Sequence, residues 1–382
     1  MIPLSIPHLG GNELKYVTEC IETGWVSSAG AYVTQFENMV AEFSGNKYGV
    51  AASSGTSGLH LAMHMLGIDR GDIVIVPNIT FIASANAVAY TNATPVFIDI
   101  DPDTWQMDLD LLEEWLSENT YQENGQCYTK ELNSSSAQAL RVAAIMPVHV
   151  LGNMCDMPKL MDIASRHGLH VIEDSTEALG SYWNGKSAGS YGEMNVFSFN
   201  GNKIITTGGG GVIVTNDEAH AKRAKHLSTQ SKVDPETYFH DEIGFNYRLV
   251  NVLAAIGVAQ MEQLPEFIKK KKEIDAYYRK HLAGVGDIKF QKVVDDVDPN
   301  CWLFTFYSEK QPEILAALKE NKIIARPFWY PMNQLPMFTE NTYVSKHDHA
   351  RNIHKNCLSI PSSVSLTEEQ LAEVVRVIKN LF

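Results

Sequence analysis

The stretch that decides the fold is Val196–Thr215, "VFSFNGNKIITTGGGGVIVT", in which Lys203 stands between a short apolar run and four glycines. A lysine in this setting can be a surface charge, can hold a phosphate, or can be an amine made nucleophilic by burial. The glycines, Gly208–Gly211, allow a tight turn or the close approach of the backbone to a flat ring. The neighbouring segments separate these possibilities.

Short apolar runs alternate with helical segments over the first two-thirds of the chain. "DIVIVP", "TPVFIDI", "VAAIMPVHV" and "LHVIEDS" have the length of strands, and "GLHLAMHMLG" has apolar residues at helical spacing. This alternation predicts an α/β fold with a large, mostly parallel sheet covered on both faces. From about residue 249 the pattern becomes a long helical segment broken at Pro265, followed by mixed strands and helices. We therefore expect a large domain at residues 1–250 and a smaller α+β domain at 251–382.

Two polar segments are interpreted as surface features without a role in binding or catalysis. Residues Asn119–Leu140 lack periodicity and are expected to form a surface insertion. The run Lys269–Lys272 is expected to be a solvated helix face rather than a binding patch.

Composition limits the classes of partner and compartment. The 382 residues carry a formal net charge of −14, which argues against a nucleic-acid or anionic membrane partner. The five cysteines form no CxxC pair, which is typical of free thiols in a reducing compartment and predicts no zinc site. With no export signal or membrane span recognisable in the sequence, the expectation is a cytoplasmic protein.

Two further segments place polar groups at predicted strand ends. "AASSGTSGLHLAM" predicts a strand, a turn and a helix N-terminus, which attracts a phosphate, although a plain helix cap explains the same residues. "LHVIEDSTEALG" delivers Asp174 to the sheet edge where ligands bind, although it too can be a helix cap. A phosphate cradle, an aspartate for a ring nitrogen and an imine-forming lysine are together what pyridoxal phosphate requires.

Blocks along nearly the whole chain resemble the DegT-type nucleotide-sugar aminotransferases, pyridoxal-phosphate enzymes of fold type I. They include "SSGTSGLHLAM", "VPNITFIASANAV", "VIEDSTEALGS", "FSFNGNKIITTGGGG" and "GFNYRLVNVLAAIG". The resemblance implies a Schiff base between Lys203 and the cofactor, with Asp174 on the pyridinium nitrogen. The other cofactor contacts that it implies are Gly55, Thr56 and Ser198 at the phosphate, Phe81 stacked on the ring, Glu177 near the phenolic oxygen, and Asn246 reaching the phosphate in a neighbouring subunit. A homodimer with shared active sites follows from the last of these.

Three positions depart from the pattern of that family. Glu177 replaces a glutamine, Gly209 a glutamate, and Asn333 a histidine. The "SFNGNK" and "RPFW" variants resemble the subgroup that aminates C4 of UDP-linked 4-keto-6-deoxy-N-acetylhexosamines for surface glycans, with L-glutamate as amino donor. The alternative acceptor is a dTDP- or GDP-linked 3- or 4-keto-6-deoxy sugar. Arg248 is a weaker match to the family pattern and is interpreted as structural. His149, at a predicted strand end, can line the pocket or be a core histidine, and it is left out of the catalytic set.

Three other functions are weighed against the aminotransferase interpretation. Related sugar dehydratases replace the lysine with histidine, so Lys203 argues against that reaction. A non-catalytic sensor would not need an intact lysine, aspartate and phosphate loop. A dinucleotide oxidoreductase is disfavoured because "GGGG" does not fit GxGxxG.

Overall fold

Helices and strands alternate along the chain as the sequence predicted. The computed structural model describes residues 1–132, 138–234 and 236–382. The helices are α1 (Glu13–Glu22), α2 (Ala31–Phe43), α3 (Gly55–Met65), α4 (Ala83–Tyr90), α5 (Leu109–Asn119), α6 (Met157–His167), α7 (Glu218–Ser228), α8 (Asn251–Met261), α9 (Leu264–Leu282), α10 (Gln311–Glu320), α11 (His349–Asn356) and α12 (Glu368–Lys379). None of them, within the described residues, is long and apolar enough to cross a bilayer.

The strands are short and most of them join one sheet. They are β1 (Tyr48–Ala52), β2 (Asp72–Pro77), β3 (Thr94–Ile98), β4 (Thr120–Glu123), β5 (Gln126–Leu132), β6 (Ala139–Ile145), β7 (His170–Asp174), β8 (Tyr182–Trp183), β9 (Lys186–Ser187), β10 (Met194–Ser198), β11 (Gly211–Thr215), β12 (Lys232–Asp234), β13 (Phe239–His240), β14 (Lys289–Phe290), β15 (Val297–Asp298), β16 (Thr305–Tyr307), β17 (Arg326–Pro327), β18 (Tyr343–Val344) and β19 (Cys357–Ser359). The main sheet has the order β1-β11-β10-β7-β6-β2-β3-β18. From β10 to β18 neighbouring strands run parallel, whereas β11 is antiparallel to both of its neighbours. The expected α/β fold with a mostly parallel sheet is confirmed.

Strand β2 shows why this sheet is covered on both faces. All six of its residues are buried. Val74 and Val76 join the apolar cluster formed with α3 and α4, whereas Ile73 and Ile75 join the cluster formed with α5 and α6. Because side chains alternate between the two faces of a strand, an unbroken apolar run needs helices on both sides.

The polar segment Asn119–Leu140 is not a plain surface insertion. Strands β4 and β5 form a hairpin within it, and β5 pairs antiparallel with β6 of the main sheet. Residues 133–137 of the segment lie outside the described residues. The prediction missed this hairpin because its exposed face carries polar residues and its strands lack a clear alternation.

The C-terminal part contains a second sheet. Strands β14, β16, β19 and β17 form it with antiparallel pairing. The predicted helix break is confirmed, since α8 ends at Met261 and α9 carries Pro265 in its first turn. The division of the chain after residue 250 stays a prediction: α8, which begins there, packs on α1 and α2, and β18 pairs with β3.

One residue of the four-lysine run on α9 contradicts the expectation of a solvated face. Lys271 is only 3% exposed and lies on the buried stripe of the helix with Phe267, Ile274 and Tyr278. Lys269 is exposed, as expected. Helical periodicity explains the difference, because positions 267, 271, 274 and 278 share one face.

Candidate active site

The ends of four strands of the main sheet open into one cavity of about 580 Å³. Segments that follow β1, β2, β7 and β10 all contribute to it, as expected for a ligand site at the carboxyl edge of a parallel sheet. Six predicted cofactor residues line it: Gly55, Thr56, Phe81, Glu177, Ser198 and Lys203. The structure thus brings together residues from widely separated segments of the chain.

Lys203 lies in the turn between β10 and β11, and its side chain is 11% exposed. Its Nζ is 3.6 Å from Oε1 of Glu177 and 4.2 Å from the centroid of the Trp302 ring. A carboxyl group and an aromatic face therefore confine the amine from two sides. Lys203 also lines the cavity, where a carbonyl compound can reach it.

Glu177 is the buried partner of Lys203. Its side chain is 2% exposed, and its Oε2 accepts a hydrogen bond of 2.9 Å from the N–H of Leu151. Burial raises the pKa of Glu177 to about 7, although the Lys203 ammonium and the Leu151 N–H oppose part of the rise. Near neutral pH this carboxyl group can therefore both accept and release a proton.

Asp174 is buried at the end of β7, close to the cavity but not among the residues that line it. Its Oδ2 accepts a 2.6 Å hydrogen bond from the hydroxyl of Ser84, and its Oδ1 accepts one from the N–H of Thr176. Ser84 in turn contacts the hydroxyl of Thr80 at 2.7 Å. These donors fix the orientation of a buried carboxylate that has no cationic partner within hydrogen-bond distance among the described residues.

The N-terminus of α3 offers an anion site. A capping box joins Ser54 to Ser57, so the first N–H groups of the helix, on Gly55 and Thr56, remain directed out of the helix end. The hydroxyl-bearing Ser198 lies against Gly55, since a Cβ on the glycine would sit 3.0 Å from Cβ of Ser198. Small residues are therefore required at this corner of the cavity.

The glycine run packs against the same corner. A Cβ on Gly211 would lie 2.5 Å from the carbonyl oxygen of Ser54, so no larger residue fits between β11 and the turn before α3. Gly208 has a φ of +85°, which favours glycine. At Gly209 a Cβ would meet nothing within 4 Å, so the position of the missing glutamate is open space on the cavity wall.

Asn246 and Asn333 do not line the cavity of their own chain. Asn246 is exposed, and its backbone bridges to Thr229. Asn333 forms a reciprocal pair with Asn78, in which the Asn78 amide donates to Oδ1 of Asn333 and the Asn333 N–H donates back, both at 3.0 Å. The replacement of histidine by Asn333 thus adds a structural pair in this chain.

Arg248 and His149 are both enclosed and paired. Arg248 is buried, forms an ion pair with Glu37 and donates to the carbonyl of Ala51. His149 is fully buried, contacts Glu173 at 2.9 Å and accepts a hydrogen bond from the N–H of Cys155. Neither side chain lines the cavity.

Several lining residues were missed by the sequence analysis. They are Leu4, Asn200, Asn202, Trp302, Leu303 and Ser359. Trp302 is the most informative, because it covers Lys203 from a segment about 100 positions along the chain. No local pattern joins it to Lys203, and only the fold reveals the pairing.

The cavity satisfies the chemical requirements of the expected pyridoxal phosphate. An aldehyde needs an amine, supplied by Lys203, and a phosphate needs the small-residue corner at Gly55 and Ser198. The exposed Phe81 supplies an aromatic face on the cavity wall. The residues present therefore fit this cofactor.

Comparison with known proteins gives concordant matches. The model of the DegT/DnrJ/EryC1/StrS aminotransferase family matches residues 7–379. The GDP-perosamine synthase of Escherichia coli O157:H7 is 39% identical over 384 residues, covering 100% of this chain and 98% of that relative. The GDP-perosamine synthase of Vibrio cholerae is 36% identical over 387 residues, covering 100% and 99%. The solved structure of S. venezuelae DesV is similar with a TM-score of 0.85 at 28% identity, covering 97% of this chain and 94% of that chain.

Proposed function

Because the chain belongs to the DegT/DnrJ/EryC1/StrS aminotransferase family, we propose that it transfers an amino group from L-glutamate to C4 of a GDP-linked 4-keto-6-deoxy sugar. The coarser assignment needs no proposal: the chain is a pyridoxal-phosphate-dependent aminotransferase that acts on a nucleotide-linked keto sugar. The observation that carries the proposed roles is the position of Lys203, whose Nζ faces the cavity between Glu177 and Trp302.

The choice of nucleotide rests on the relatives. Both curated relatives above are named as GDP-perosamine synthases, and each aligns with the whole of this chain. Their similarity supports the GDP-linked acceptor, which was the alternative in the sequence analysis, over the UDP-linked N-acetylhexosamine that the motif variants had favoured. The UDP-linked subgroup becomes the competing outcome of the experiment below.

The chemistry divides between the cofactor and the chain. Bound pyridoxal phosphate supplies an electron-accepting ring, which makes the proton on the carbon bearing the amino group easier to remove. Lys203 is the proposed carrier of that proton, since its amine faces the cavity. Glu177, 3.6 Å away with a pKa of about 7, is proposed to exchange protons with Lys203.

Asp174 and the N-terminus of α3 have the binding roles. We assign Asp174 to the ring nitrogen, because Ser84 and Thr176 donate to its carboxyl group and fix its orientation at the edge of the cavity. The N–H groups at Gly55 and Thr56 are assigned to the phosphate. Glutamate then gives up its amino group, takes up one water and leaves as 2-oxoglutarate. The sugar ketone gains the amine and releases one water, so no water is consumed or produced overall.

A homodimer is part of the proposal. Asn246 is exposed and does not reach the cavity of its own chain, which is compatible with a contact to the cofactor phosphate in a second subunit. Two measurements on Asn246→Ala separate a role at the phosphate from a role in assembly. The affinity for the cofactor reports the first, and sedimentation reports the second. The proposed role predicts weaker cofactor binding with unchanged sedimentation; unchanged binding would remove Asn246 from the site.

The experiment is a visible absorption spectrum of the protein with pyridoxal phosphate, recorded before and after addition of L-glutamate. We expect a yellow band that glutamate bleaches, and we expect a GDP-linked 4-keto-6-deoxy sugar to restore it. Parallel samples receive the UDP- and dTDP-linked keto sugars. Because free pyridoxal phosphate is itself yellow, the band in question is the one that moves to longer wavelength when the aldehyde reacts with a lysine. Lys203→Ala should not form this band, and Lys203→Arg should not form it either, because this control keeps the charge but not the nucleophilic amine.

Each outcome has a defined meaning. A band in Lys203→Ala would remove Lys203 from its proposed role. A band that glutamate leaves unchanged would overturn the donor. Restoration by the UDP-linked sugar alone would overturn the GDP assignment and reinstate the UDP-linked subgroup.

A further inference from the structure

We propose that Lys271, a buried lysine of α9, is a positioning residue that holds the indole of Trp302 against Lys203. The inference rests on the proposed role of Lys203 as the residue that reacts with the cofactor. Lys271 does not line the main cavity, although it lines a small neighbouring void together with Lys203. The proposed effect on the site passes through the groups that Lys271 binds.

The contacts of Lys271 join two segments of the cavity wall. Its Nζ donates to the carbonyl of Trp302 at 2.9 Å and to the carbonyl of Ser362 at 2.5 Å. Trp302 lines the cavity, and Ser362 donates through its N–H to the carbonyl of Leu4, which also lines it. One side chain thus fastens α9 to the two loops that close this side of the site.

Trp302 is held at three points, and Lys271 supplies one of them. The Trp302 N–H donates to the side chain of Asn300 at 3.0 Å, and its indole N–H donates to the carbonyl of Asn202 at 2.7 Å. The carbonyl of Trp302 is bound by Lys271. Because Asn202 precedes Lys203 in the chain, the indole is attached to the very turn whose lysine it covers.

The number of N–H donors on the Lys271 amine matches the number of carbonyl oxygens that it binds. Burial lowers the pKa of Lys271 to about 7, so the neutral amine is well populated at and above neutral pH. A neutral amine has two N–H donors, one for each of the two carbonyls. An apolar residue would leave both carbonyls buried without a partner, which costs stability and frees the loop to move.

The test is a double-mutant cycle between Lys271→Met and Trp302→Phe, with Lys269→Met as the matched control on the exposed face of the same helix. Two quantities are measured for each protein. The first is the rate at which the yellow band forms on mixing with pyridoxal phosphate. The second is hydrogen exchange of residues 300–304 in the protein without added cofactor, which does not depend on the proposed function.

We expect Lys271→Met to slow band formation about tenfold and to speed exchange in residues 300–304, whereas Lys269→Met changes neither. If Lys271 acts through Trp302, adding Lys271→Met to Trp302→Phe should slow the band no further. Effects that multiply in the double variant would overturn the proposal, as would unchanged exchange in Lys271→Met.

Two arrangements keep the test decisive. If Lys271→Met does not fold, as judged by circular dichroism, Lys271→Gln replaces it, since its amide keeps donors but shortens the reach. If the wild type forms no band, the proposed role of Lys203 fails, while the exchange measurement still decides whether Lys271 holds the Trp302 segment.

Discussion

Replacing Glu177 by glutamine should change how the stability of the protein depends on pH. The pKa of Glu177 is raised from its ordinary value of 4.5 to about 7, chiefly by burial. Between these two values the folded chain holds a proton that the unfolded chain has released. The contribution of this carboxyl group to stability is therefore fully present below pH 4.5, declines as the pH rises, and is lost above pH 7.

The size of the effect follows from that displacement. At about 1.4 kcal/mol for each pKa unit, the whole rise corresponds to about 3 kcal/mol, and most of it falls between pH 5 and pH 8. Glutamine carries no titratable proton. The free energy of unfolding of Glu177→Gln, relative to the wild type, should therefore improve by about 2 to 3 kcal/mol from pH 5 to pH 8.

The assay is urea unfolding of the protein without added cofactor at pH 5, 6, 7 and 8. Glu22→Gln, an exposed carboxylate on α1, serves as the matched control and should show a nearly constant difference. A third protein, Lys203→Met, removes the ammonium that lowers the pKa of Glu177 in the folded state, so the decline should extend to higher pH and grow larger. A difference between Glu177→Gln and wild type that is the same at pH 5 and pH 8 would refute the reasoning.

Two further predictions concern residues that support the site. Ser84→Ala should lower the free energy of unfolding by about 1 to 3 kcal/mol in urea denaturation, because it removes the hydroxyl that donates to buried Asp174. Ser84→Thr keeps a hydroxyl and should retain most of the wild-type stability. An Ala variant as stable as the wild type would contradict this prediction. Arg248→Met should lower the free energy of unfolding by about 3 to 5 kcal/mol, because it leaves Glu37 buried without the guanidinium that pairs with it. Adding Glu37→Gln should recover much of that loss. Additive losses in the double variant would show that the two residues do not act as a pair.

Local periodicity was sufficient to predict a mostly parallel sheet covered by helices, and individual helices such as α3, α8 and α9. The run around Ile73 and Val74 is apolar on both faces, and only a covered strand accommodates that pattern. The cofactor residues at Gly55 and Lys203 could be proposed because each follows a predicted strand, and parallel strands bring their ends to one edge. Glu177 was proposed only from the family resemblance.

Other features could not be predicted, for identifiable reasons. The pairing of Lys203 with Trp302 joins distant segments, and no spacing in the sequence encodes it. The burial of Lys271 left a signal that was overlooked, since it continues the apolar stripe through Phe267 and Ile274, but four identical residues in a row hide which one faces inward. The hairpin β4–β5 has polar outward residues and was mistaken for a loop.

The short strand β18 has a consequence for how the chain acquires its structure. Tyr343 and Val344 pair with Phe97 and Ile98, so the last position of the main sheet is filled by residues made long after the rest of it. During synthesis on the ribosome, β3 remains an open strand edge until most of the chain has emerged. An emerging chain is thus exposed to edge-to-edge association with other chains for much of its synthesis. A fragment that ends at residue 250 would keep the edge of β3 unpaired permanently.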